Sequence, residues 1–232
     1  MSGAANEGKA LEVEVDGEKV QRIPLRTRVV MPDDSLDEII TTYAKDAVQQ
    51  GDLLFVTEKI VAIMQGRSYL LTDITVRPLA RFLSKYVVKT PYGIGLGMPE
   101  TMEMALRECG TPRILFAAAV AAVTKAFGRR GDFYRIAGDK ARAIDGPTSG
   151  TIPPYNQAVV LGPDKPREVA RHVQALLGGG IDVAVVDIND IGGNILGSTL
   201  DRAGEKRLVR ILDDNPLGQG HQSTPLGIVR PV

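Results

Sequence analysis

The sequence predicts a mixed α/β chain, and three observations predict it. Val183-Ala184-Val185-Val186 is a continuous apolar run with three β-branched residues, which is how a strand buried on both faces reads. Asp16-Gly17 separates the alternating stretch Ala10 to Val15 from Val20 to Leu25, and a two-residue Asp-Gly connection is a strong hairpin signal. Leu36, Ile39, Ile40, Tyr43 and Ala47 recur at helical spacing, as on the apolar stripe of a surface helix.

Composition bounds what the chain does. At 232 residues, 44% apolar and 24% charged, it has the make-up of a globular protein and builds its core without disulfides. Its formal net charge is +0 and its longest basic block is Arg129-Arg130. Nucleic-acid or membrane binding driven by bulk electrostatics is therefore not expected. A single cysteine, Cys109, excludes an intramolecular disulfide and a cysteine-rich zinc site. The N-terminus has no apolar signal region, and the most apolar stretch, Ile114 to Val123, is too short to span a bilayer. A reducing cytoplasm is the expected setting.

Taken in order, residues 1–9 read as a disordered leader and 10–232 as one domain without an evident linker. After the hairpin, Pro32 stops a strand through Val29-Val30-Met31, and Asp34 or Ser35 caps a helix over about 36–49. Gly51-Asp52 turns the chain into a buried strand, Leu53 to Thr57. A second apolar segment, Lys59 to Met64, closes at Gln65-Gly66-Arg67. Asp73 to Val88 reads as a helix interrupted near Pro78. Gly93, Gly95 and Gly97 precede a Pro99-Glu100 helix start; they read either as a plain connection or as an anion-holding loop at a helix N-terminus. Glu100 to Glu108 is a helix ended by Gly110. Pro112 then opens an Ala-rich helix over about 113–127, fit for core or subunit contact.

Phe133 to Ala137 is strand-like and leads to Ile144-Asp145, an apolar-to-acidic transition. A proline-rich loop, a short strand at Val159 to Leu161 and a helix over about 166–177 follow. His172 is a surface residue of that helix, and Gly178 to Gly180 break it. Beyond the strand at Val183 come a helix over about 201–212, a polar loop from Asp213 to Pro225 and a strand from Leu226 to Val229. A polar loop that returns to an apolar strand is tied at both ends, as binding loops are.

The chemistry concentrates where the buried strand ends. Asp187, Asn189 and Asp190 follow Val186, and Gly192-Gly193 come next. Open α/β sheets bind ligands at the C-terminal ends of their strands, and carboxylate and amide oxygens suit Mg²⁺ or Mn²⁺. The same residue types are also what any strand exit needs to cap and reverse the chain.

Three ordered stretches resemble the coenzyme F420-0:L-glutamate ligase family, the F420-0:γ-glutamyl ligases. The first holds Ile23-Pro24-Leu25-Arg26, Asp33-Asp34, Gly51-Asp52-Leu53-Leu54-Phe55-Val56 and Gln65-Gly66-Arg67. The second holds Ile144-Asp145, Pro153-Pro154 and Pro163-Asp164-Lys165-Pro166. The third holds Val186-Asp187-Ile188-Asn189, Gly197, Gly218-Gln219-Gly220-His221-Gln222, Pro225 and Val229-Arg230. The resemblance implies an α+β fold, a mixed sheet flanked by helices, and a homodimer. It implies an amide-forming ligase that uses GTP and Mg²⁺ or Mn²⁺ to attach L-glutamate to a phospholactyl deazaflavin-like acid through an acyl phosphate. By the same resemblance Asp145 and Asp187 hold metal, with Gln222 as a further oxygen ligand. Pro24, Leu25, Lys59, Thr148, Gly218, Gln219, Gly220 and His221 then meet the nucleotide.

The chain departs from the family where a Ser-Lys pair is expected: Ala62-Ile63 stand there, Glu58 replaces an earlier serine, and Ile188 replaces a threonine. Lys59 is the substitute for the missing lysine. Two other readings accompany the ligase: a homologue that binds metal or ligand without catalysis, and a different metal-assisted phosphoryl or hydrolytic enzyme.

Overall fold

The computed structural model describes residues 5–87, 95–129, 131–148, 150–189, 192–218 and 221–232. In chain order the first elements are β1 (Glu12–Val15), β2 (Glu18–Leu25), α1 (Leu36–Tyr43), β3 (Leu53–Thr57) and α2 (Glu58–Met64). Next come β4 (Ser68–Leu70), α3 (Pro78–Ser84), α4 (Pro99–Glu108), α5 (Thr111–Ala126), α6 (Asp132–Ala137), α7 (Asp139–Arg142) and β5 (Ala158–Val160). The last are α8 (Pro166–Leu176), β6 (Asp182–Asn189), β7 (Gly192–Ser198), α9 (Arg202–Ile211) and β8 (Leu226–Pro231). The fold is α+β, with a mixed sheet and flanking helices. No helix of the described residues is long and apolar enough to cross a membrane.

The chain divides into two compact units, Met1–Gly66 with Pro163–Val232, and Arg67–Gly162. The first carries a six-stranded sheet in the order β1-β2-β8-β3-β6-β7, in which β3 and β6 run parallel and the other neighbours antiparallel. Ala184 and Val186 of β6 pack with Phe55, Val20 and Val229 against Leu208 and Ile211 of α9 and Leu212 just beyond it. Val183 and Val185 point to the opposite face, because side chains alternate along a strand. That face is covered by helices too, which is why the run from Val183 to Val186 has no polar side. At β7 the main chain of α8 lies so near that a Cβ on Gly197 would come within 2.3 Å of the Arg167 nitrogen.

Among the described residues the second unit is helical apart from the β4–β5 pair and a bridge between Asp145 and Val160. Met102, Leu106, Ile114, Ala137 and Val159 are among the residues of its core.

Several expectations are corrected. Lys59 to Met64, read from the sequence only as an apolar segment, belongs to helix α2. Ile60, Val61, Ala62 and Ile63 are all buried there, so the helix is apolar all round and shows no 3.6 period. Phe133 to Ala137 is helix α6, framed by left-handed Gly131 (φ 90°) and Gly138 (φ 91°). Asp132 at its start meets Arg135 at 3.1 Å, one turn on. Pro78 begins α3 rather than interrupting it. The first helix stops at Tyr43, and Met31 lies in a turn closed by Asp34 rather than in a strand. The buried strand runs on through Asp187 to Asn189 and pairs with β7, an element the sequence did not reveal.

Candidate functional site

Asp187 occupies β6 two residues beyond Val185, on the face opposite Ile188, which packs towards α9. The ladder places Asn194 of β7 directly across from it, and directly opposed residues have Cβ atoms about 4.5–5.5 Å apart. Asn189 follows on the same face, opposite Gly192. A carboxylate and two carboxamides thus share one end of the sheet. Asn194 is the member that sequence reasoning missed. Its signal was Gly192-Gly193 read as a hairpin return rather than a loop. Asp190 lies outside the described residues.

The late loop leaves α9 and returns as β8. Gly218 is left-handed (φ 76°), and the Gln222 side-chain amide packs on it so closely that a Cβ there would sit 2.7 Å from Nε2. Gln222 is half-buried and His221 exposed; Gln219 and Gly220 lie outside the described residues. The Thr27 amide donates to the Ser223 carbonyl at 2.9 Å, and Ser223 Oγ donates back to the Thr27 carbonyl at 2.9 Å. At the loop's start Asp214 pairs with the buried guanidinium of Arg22. Burial pushes the Asp214 carboxyl up, but the Arg22 hydrogen bonds outweigh it and hold the group below the usual carboxylate range.

The other expected residues fall as follows. Pro24 and Leu25 are buried at the end of β2, paired with Gly227 and Leu226 of β8. Lys59 is half-buried in the first turn of α2. In the second unit, Asp145 exchanges two backbone hydrogen bonds with Val160, at 2.8 and 2.9 Å. Thr148 is exposed, its hydroxyl 2.7 Å from that of Thr151. Asp187, Gln222, Lys59, Pro24, Leu25, Gly218 and His221 therefore belong to the first unit, and Asp145 and Thr148 to the second. Within the first unit, Asp187 and Gln222 offer hard oxygens, a donor chemistry that fits Mg²⁺ or Mn²⁺. Among the described residues no three His, Cys, Asp or Glu side chains gather at metal-holding distance.

Several quoted motif residues lock the scaffold. Arg230 grips Asp52 with two bonds, Nε to Oδ1 at 2.8 Å and Nη2 to Oδ2 at 2.7 Å. The Gln65 side chain exchanges two bonds with the Asp164 backbone, at 2.9 and 2.7 Å. Arg67 Nε donates to the Gly162 carbonyl at 2.7 Å, and its Nη2 meets Glu108 at 2.7 Å. His172 is exposed and lies 2.6 Å from Asp37, in keeping with a surface role.

No curated protein matches the chain. The sequence model of F420-0:Gamma-glutamyl ligase matches residues 24–197, a span that includes the β6–β7 pair bearing Asp187 and Asn194 and the turn bearing Asp145. Well over half of the chain is covered, and with that match the chain belongs to the F420-0:γ-glutamyl ligase family.

Proposed function

We propose that the protein is a metal- and nucleotide-dependent ligase that joins L-glutamate to a phospholactyl deazaflavin-like acid. The single observation that carries this reading is the family match over residues 24–197. In the reaction, a carboxylate oxygen of the acid attacks the γ-phosphorus of GTP and GDP leaves. The glutamate amine then attacks the resulting acyl phosphate, and inorganic phosphate leaves as the amine loses its proton. A divalent cation, when bound, supplies charge neutralisation for the phosphates. Asp187, Asp145 and Gln222 are the residues to hold it. Around it the chain's own task is positioning: the late loop and Lys59 orient the nucleotide, and the rigid β6–β7 pair fixes Asp187. The working form is a cytoplasmic homodimer with small-molecule substrates.

A specific observation favours a second reading. Ala62 and Ile63, where the family carries Ser-Lys, are 0% and 1% exposed, so this stretch of α2 serves the core and offers no phosphate-binding cation. A homologue that binds ligand without ligating it has that pattern. Thermal denaturation with GTP, ATP or neither, each with Mn²⁺, Mg²⁺ or EDTA, tests the nucleotide site. A nucleotide at a hundred times its Kd raises stability by about 2.7 kcal/mol. The ligase reading expects a metal-dependent shift with GTP that Asp187→Asn abolishes, and glutamate consumption in the presence of the acid. A full shift in Asp187→Asn removes Asp187 from the metal site. Binding without product establishes the second reading.

A further inference from the structure

Helix α8 lies along β6 in the opposite direction, and its two ends fix the register. At its C-terminal end Gln174 Nε2 donates at 2.7 Å to the carbonyl of Ile181, the residue ahead of β6. At its N-terminal end the Arg167 amide nitrogen lies where a Cβ on Gly197 would come, and Gly197 stands across the ladder from Val185. The approach to α8 is held as well, because the Gln65 side chain bonds both the amide and the carbonyl of Asp164. Directly opposed residues, and residues two apart on one strand, share a face of a sheet. Gly197, Val185, Asp187 and Asn194 therefore all lie on the face that α8 covers. Asp187 is two residues past Val185, about 7 Å further along the strand. The start of α8 thus sits beside the Asp187–Asn194 pair.

Helix side chains lean towards the helix N-terminus. For Arg167, the second residue of α8, that lean runs past the start of the helix and along β6 towards Asp187. Arg167 is exposed and has no acidic partner among the described residues, whereas its neighbour Lys165 meets Glu168 at 3.3 Å. Arg171 is exposed too, but it stands one turn farther from Asp187. The geometry points to Arg167 as a phosphate-binding residue of the Asp187 site, the cation that buried Ile63 does not offer. Its planar guanidinium takes two phosphate oxygens at once and neutralises charge on a triphosphate. This role rests on the proposed binding of a nucleotide.

The test uses the full chain as wild type, Arg167→Ala, Arg171→Ala and Asp187→Asn, with GTP and inorganic tripolyphosphate titrated in Mn²⁺. Both arginines are exposed, so each arginine variant is expected to melt like the wild type without ligand. Arg167→Ala is expected to bind both ligands about tenfold more weakly. Arg171→Ala removes the same charge one turn away and is expected to stay within about twofold of the wild type. Wild-type affinity in Arg167→Ala overturns the proposal. An equal loss in both arginine variants also overturns it, since the effect is then one of net charge. A loss for GTP alone moves the contact to the nucleoside and overturns the phosphate role. A wild type that binds neither ligand defeats the nucleotide reading and the role of Arg167 with it. Binding lost in Asp187→Asn but kept in Arg167→Ala spares that reading and overturns Arg167 alone.

Discussion

Glu103 of α4 is 1% exposed and shared between two arginines, Arg77 at 2.9 Å and Arg107 at 2.8 Å. Burial drives its carboxyl up, but the hydrogen bonds from Arg77 and Arg107 outweigh burial and leave it below its ordinary value. A depressed folded-state value stabilises the fold above the ordinary glutamate range of about 4.3. That stability is lost as pH falls through the folded value, so acid loosens the second unit below about pH 4. Glu103→Gln is expected to cost about 2 kcal/mol at pH 7 and to flatten the acid limb of the melting profile; an unaltered limb assigns acid sensitivity elsewhere. At Gly218 the constraint is the left-handed backbone and the Gln222 amide packed on it. Gly218→Ala is expected to cost about 1 kcal/mol and, with Gln222 displaced, to reduce stabilisation by Mn²⁺. An undiminished Mn²⁺ effect removes Gln222 from the metal site.

Helix α5 shows the strongest mismatch between sequence and surroundings. Leu115, Phe116, Val123 and Phe127 are exposed, the two phenylalanines by 62% and 82%, and they recur at helical spacing with Ala119, Ala122 and Ala126 between them. Such a face is what a subunit contact buries. If the proposed homodimer forms through it, Phe116→Lys with Phe127→Lys halves the mass seen by light scattering while helix content holds; a doubly substituted protein that stays dimeric places the interface elsewhere, and a monomeric wild type defeats the dimer itself. Where α8 meets β7, Gly197→Ala forces a Cβ against backbone atoms of Pro166 and Arg167, and an overpacking penalty of about 1–3 kcal/mol should appear in denaturant melts. The elements legible beforehand were those with punctuation: prolines opening α4, α5 and α8, glycines closing α8, and Asp16-Gly17 turning β1 into β2. Helix α2 was illegible because burial on all sides erased its period, and α6 because Phe133-Tyr134-Arg135-Ile136 is rich in the aromatic and β-branched residues that strands favour. At the site, Asp187 was readable as an acid closing an apolar run. Asn194 was not, since only the unrecognised β7 brings it opposite. The Asp52–Arg230 grip spans 178 residues, and no local pattern encodes a partner so distant.

At the scale of the molecule, the second unit is one continuous stretch inserted between the two segments of the first. Both sides of the insertion point are held shut: Gln65 with Asp164 on one, Arg67 with Gly162 on the other. A short Gly-Ser linker from Gly66 to Pro163 is therefore expected to leave the six-stranded sheet folded by circular dichroism. It would remove Asp145 and Thr148, and with them the proposed metal-dependent GTP binding. Loss of the sheet in that protein shows that the first unit needs the second to fold. The strand order has its own consequence for synthesis. β8 lies between β2 and β3, so as the chain leaves the ribosome its first hairpin and its third strand have no neighbour to join them. The contiguous 67–162 stretch meets no such delay. The nascent chain thus carries a finished helical unit beside a sheet still lacking its middle, a period in which unpaired strand edges call for a chaperone.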